Sequence, residues 1–163
     1  MTYLAIDPGY EKLGFCFFSK NKRLPYQFKI IKSGLIKTKK DVLEKRIFDI
    51  YQALDELIQK YLPKKIILEE LFFFKNQKTV VKVAMIHGII NLLAGQRKIS
   101  LEYLSPLEIK EAITGYGRAD KKAVHKMLKN QITLANKKFE DDEIDAIACG
   151  LTFVLKASQV NLD

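Results

Sequence analysis

The sequence predicts an α/β fold on a mixed five-stranded sheet, and three observations predict it. Three apolar runs separated by tight breaks open the chain, over residues 2–7, 13–19 and 26–36, as an antiparallel meander does. The pattern then alternates between helical stripes and two short apolar runs, 65–70 and 99–104, as crossover units with parallel strands do. No repeat, low-complexity segment or linker interrupts the 163 residues, so one domain spanning 1–163 is expected.

Taken in order, Tyr3-Leu4-Ala5-Ile6 is a strand that ends in Asp7, and Pro8-Gly9 breaks it. An ionised carboxylate closing an apolar strand is costly unless it is paired or bound to a metal. Taken alone, Asp7-Pro8-Gly9 is more simply read as turn chemistry with a capping Asp. Leu13 to Phe18 is the second strand, and Lys20-Asn21-Lys22-Arg23 with Leu24-Pro25 turns the chain. The third strand, from Tyr26 to Ile36, alternates apolar residues with lysines as an edge strand should. Thr38 and Asp41 supply N-cap chemistry for a helix. Leu43, Ile47, Ile50, Leu54, Leu57, Ile58 and Tyr61 make its apolar stripe, and Pro63 stops it.

The run 65–70 is a short buried strand that again ends in acids. The next helix, over 78–94, is apolar on most of its circumference, which suits a central helix or one shared with a partner subunit. After the strand at 99–104, Ser105-Pro106-Leu107-Glu108 is a capping box with proline at the first helical position. Gly115-Tyr116-Gly117 interrupts that helix, Asp120 begins another through Leu128, and the last starts near Asp141 with Ile144, Ala148, Leu151 and Leu155. Two right-handed crossovers would join the parallel strands.

Lys plus Arg number 28 against 19 for Asp plus Glu, a net charge of +9, which favours a polyanionic partner, nucleic acid ahead of anionic membrane. Hydrophobic residues at 48% exclude a disordered chain. Cys16 and Cys149 lie inside apolar runs without zinc spacing and are expected to be buried, reduced thiols. No stretch approaches membrane-spanning length and no leader is recognised, so a soluble, cytoplasmic protein without a membrane partner is expected.

If the first crossover returns beside the opening strand, Asp7 and Glu69 end parallel neighbours, where open α/β sheets bind ligands. Asp141, Asp142, Glu143 and Asp145 open the last helix. For Asp141 and Glu143, complementing the helix dipole is a sufficient reading. Asp142 and Asp145, three apart, share a helix face, and the small Ala146, Ala148 and Gly150 nearby suggest tight packing on the sheet. Crowded carboxylates without His or Cys suit magnesium or manganese, and two such ions can hydrolyse a phosphodiester.

Asp7-Pro8-Gly9 through Leu13-Gly14, Glu69-Glu70-Leu71-Phe72 with Lys75-Asn76, Lys110 through Gly115-Tyr116-Gly117-Arg118-Ala119-Asp120-Lys121, and Asp142-Glu143-Ile144-Asp145-Ala146 follow one another in a telling order. Over nearly its whole length the chain resembles the RuvC-type Holliday-junction resolvases. The resemblance implies a ribonuclease-H-like fold, a homodimer, and paired symmetric nicks across a four-way DNA junction in recombination and repair. It implies two magnesium ions per active site, replaceable by manganese, and a possible branch-migration motor as a further partner. Asp7, Glu69, Asp142 and Asp145 match the catalytic, metal-binding carboxylates. Phe72 matches the aromatic that stacks on unpaired bases, with a core or interface Phe as the alternative. Lys75, Asn76, Arg118 and the lysines near the scissile phosphate, Lys110 and Lys121, match DNA contacts. Leu13, Met85 and His87 replace a commoner Thr, Gln and Arg, which bears on sequence preference. The rival expectations are a broader branched-DNA endonuclease and a catalytically silent nucleic-acid-binding module.

Overall fold

The computed structural model describes residues 1–20, 28–71, 77–131 and 139–159, and within them the apolar runs become five strands of one sheet. β1 (Thr2–Asp7), β2 (Lys12–Lys20) and β3 (Phe28–Lys37) pair antiparallel in sequence order. β4 (Lys65–Glu69) pairs parallel with β1, and β5 (Ser100–Leu104) parallel with β4, giving the order β3-β2-β1-β4-β5. The expected turn over 21–25 and a strand start at Tyr26 lie outside the described residues.

Side chains alternate across each strand, so the sheet buries a layer on both faces. Leu4, Ile6, Leu13, Phe15, Phe17, Ile66 and Leu68 meet α1 (Leu43–Tyr61) and α2 (Gln77–Arg97). Ala5, Cys16, Phe18 and Ile67 meet α3 (Pro106–Thr114), α4 (Lys121–Gln131) and α5 (Asp141–Gln159). The α1 stripe behaves as its spacing predicts: Ile50, Leu54 and Ile58 are fully buried or nearly so, and Ile47, Leu57 and Tyr61 pack at its edge. Cys16 and Cys149 are buried and unbridged.

Three local expectations are corrected. Thr38 and Asp41 do not cap α1: its N-cap is Val42, with no side-chain cap. The Thr38 hydroxyl instead donates to the Tyr10 carbonyl at 3.0 Å and accepts from Arg46 Nε at 2.8 Å, tying the β1–β2 turn to α1. Helices α2 and α4 each run three residues past their expected ends, to Arg97 and Gln131. With that length α2 does qualify, by size and composition alone, as a possible membrane span over Thr79–Arg97, which no stretch was expected to do. Here it packs Ile86, Ile90, Leu93 and Ala94 against the sheet, as the helix of a crossover must.

α5 lies very close to the sheet, and two glycines permit it. A Cβ on Gly150 would stand 2.8 Å from the Phe18 ring, and one on Gly14 only 1.9 Å from the Asp142 carbonyl oxygen. The second contact seats the start of α5 on β2, beside the end of β1.

Candidate active site

Strand parity decides which way the acids point. Ala5 and Ile67 face the α5 layer, so Asp7 and Glu69, each two residues further on, face it too. The parallel register pairs Ile6 with Leu68, which sets Asp7 and Glu69 side by side where the two strands end. From the other side, the first two turns of α5 bring Asp142 and Asp145. One carboxylate oxygen each from Asp7, Asp142 and Asp145 lie within 4.8 Å of one another, a spacing that can hold a metal ion. Glu69 stands outside that group of three, but its carboxyl feels the Asp145 charge.

The electrostatics record the crowding. Burial, then the charges of Asp145, Glu69 and Asp142, push the Asp7 carboxyl up to about 8. Burial, then Asp145, also raises Glu69, against a lowering pull from Lys121 and Lys110. Lys121 Nζ meets Asp145 Oδ2 at 2.6 Å. Burial works against the Lys121 ammonium, yet the bond to Asp145 and the surrounding acids hold its pKa above the ordinary lysine value. Among the described residues Lys121 and Lys110 are the lysines set against these four acids, so the site favours added positive charge, and a donor set of hard oxygens suits a divalent ion.

The expected DNA contacts divide into three groups. Lys121 is bound into the cluster and Lys110 lies near enough to influence Glu69, whereas Arg118 is exposed between α3 and α4. Phe72, Lys75 and Asn76 lie outside the described residues. A cleft of about 330 Å³ opens beside Asp7 and Glu69, and Val80, Val83 and His87 of α2 form part of its wall. The His87 ring is buried parallel to that of Tyr103, 6.3 Å between centres, and its Nε2 has no partner among the described residues.

Against known proteins, the family model described as crossover junction endodeoxyribonuclease RuvC matches residues 3–153. The chain belongs to that family. Curated RuvC relatives include that of Brachyspira hyodysenteriae, 42% identical over 93% of this chain and 92% of the relative. Another, from Caldicellulosiruptor saccharolyticus, is 37% identical over 98% of this chain and 96% of the relative. Among solved structures, Thermus thermophilus RuvC in complex with a Holliday junction substrate superposes with a TM-score of 0.86, covering 98% of this chain and 96% of that one at 23% identity. The five-stranded mixed sheet with its helices is thus the RuvC fold, of ribonuclease-H-like type.

One residue of the chain escaped the sequence analysis, and another has a different role from the one expected there. His125 on α4 has Nε2 2.8 Å from Asp145 Oδ1, with a side chain only 14% exposed. Glu143 is no solvated complement to the helix dipole: it is 5% exposed, and its Oε1 accepts from the Ser33 hydroxyl at 2.7 Å, tying α5 to β3. An acid in a first helical turn reads the same in sequence whether it meets water or a buried hydroxyl. The Ser33 in an edge strand of lysines was the available signal. For His125 no spacing rule reaches across two helices.

Proposed function

We propose that this chain is a structure-specific, magnesium-dependent endodeoxyribonuclease that resolves Holliday junctions by paired, symmetric nicks in DNA recombination and repair. The observation that carries the reading is the meeting of Asp7, Asp142 and Asp145 within 4.8 Å at the strand ends of a chain whose net charge is +9. Asp7, Glu69, Asp142 and Asp145 hold the ions, two magnesium per site with manganese as a substitute. Bound there, divalent ions supply activation of water and charge stabilisation at the leaving oxygen. The protein's own groups prepare the rest. The helix start and the two strand ends fix the four carboxylates on rigid elements, and Lys110 and Lys121 offer the phosphate positive charge beside them. Phe72, Lys75, Asn76 and Arg118 complete the DNA contacts, the first by stacking on an unpaired base.

The whole chain acts as one nuclease domain in the cytoplasm, and it works as a homodimer. Support for the dimer comes from α2, which exposes Val81, Met85 and Leu92 at four- and seven-residue spacing opposite its buried side. A branch-migration motor is a further partner of such a resolvase.

Nicking of a synthetic four-way junction, a Y-shaped fork and a linear duplex in magnesium, wild type against Asp7→Asn, tests the reading. The expected result is paired nicks on the four-way junction alone, lost in a variant that still binds. Equal cutting of the fork would make the enzyme a broader branched-DNA nuclease. Tight binding without nicks in magnesium or manganese would sink the enzymatic reading.

A further inference from the structure

Among the described residues, Asp145 has two close side-chain partners. Its Oδ2 meets Lys121 Nζ at 2.6 Å, while its Oδ1 lies 2.8 Å from His125 Nε2. An ionised carboxylate can only accept, so the imidazole Nε2 carries the proton and donates it. The other ring nitrogen, Nδ1, is 3.9 Å from the exposed Asp141 carboxylate, beyond hydrogen-bond reach. His125 therefore has its close bond to one residue of the site, from a helix that contributes none of the four acids. Val124 and Leu128 of the same helix are buried in the core beneath the sheet, which anchors α4 itself.

We infer that His125 is a positioning residue for the metal site: its Nε2–H fixes the Asp145 carboxylate so that the cluster meets a divalent cation already ordered. Without that bond, Asp145 must lose its own rotational freedom when the ion binds, and Lys121 alone would orient it. A hydrogen-bonded outer partner also keeps a ligating oxygen in place against the attraction of a neighbouring ammonium, and removing such partners typically weakens metal binding about 10–100-fold. The inference rests on the reading of the acidic cluster as a metal site.

The test is manganese binding to the DNA-free protein, followed by electron paramagnetic resonance, for wild type, His125→Ala and His125→Gln, with thermal unfolding of each in chelator. Glutamine keeps a donor of similar reach and should retain most of the wild-type affinity. Alanine should weaken manganese binding by about 10-fold or more. The magnesium concentration for half-maximal nicking should rise in parallel. Unchanged manganese affinity in a folded His125→Ala protein overturns the inference. So does glutamine as weak as alanine, which would make the ring a packing element. Wild-type protein that binds manganese but nicks nothing would overturn the nuclease reading and leave the affinity comparison standing.

Discussion

Asp7 shows what a single residue of this site costs the fold. Its carboxyl is raised from 3.8 to about 8, first by burial and then by Asp145, Glu69 and Asp142. In the metal-free protein the folded state therefore keeps a proton that the unfolded state gives up. Stability falls as pH rises from about 4, and the whole penalty is present above about 8. Asparagine cannot titrate. Metal-free Asp7→Asn should be more stable than wild type at pH 8 by about 1–3 kcal/mol, the scale of an uncompensated buried polar group, with no advantage near pH 4. Urea denaturation in chelator at the two pH values measures it. Added magnesium should then stabilise the wild type more than the variant. Equal stability at pH 8 would mean that the carboxylates are not crowded as the geometry has them.

At the scale of elements, strand and helix boundaries were legible wherever one periodicity governed the chain. The meander, both crossovers and the capping box at Ser105 follow from apolar spacing and turn residues, and the box forms with both of its hydrogen bonds. The meeting of Asp7, Asp142 and Asp145 was legible because a strand end and a helix start are marked in sequence. What escaped was decided by tertiary partners: Thr38 satisfies a distant turn rather than its own helix, and His125 reaches Asp145 from α4. The capping box carries a prediction. Bonds from the Lys156 ammonium, then from the Ser105 backbone N–H and hydroxyl, hold the Glu108 carboxyl at about 2. A depressed acid adds stability above its unfolded value of 4.5, lost as pH falls toward 2. Glu108→Gln keeps the box but not the charge. It should cost about 0.5–1 kcal/mol at pH 6, discounted for the exposure of both partners, with the gap to wild type closing between pH 4.5 and 2. A gap independent of pH in denaturation curves would contradict it.

For the whole molecule, the unresolved demand is the outer face of α2. Its inner side buries Ile86, Ile90, Leu93 and Ala94, yet Val81 and Leu92 are each 55% exposed and Met85 43%. With Gly88 they form a stripe at spacings of four, three and four, which is how a helix presents a seam to another helix. Burying an exposed Leu contributes about 1.5–3 kcal/mol, and an aspartate in its place would be buried unpaired. Leu92→Asp should therefore weaken the proposed dimer by at least about 10-fold, since 1.4 kcal/mol is a factor of ten. Sedimentation velocity across a concentration series reads the change. The position lies on the outer face of α2, away from the cleft walls at Val80 and Val83, so manganese binding should survive. What should fail is coordination: a four-way junction has two strands to cut, and one monomer brings one cluster. If the proposed dimer makes the paired nicks, the variant should leave single ones. A Leu92→Asp protein that sediments as the wild type does would move the interface off α2, and with it the explanation of why so apolar a helix has only one side buried.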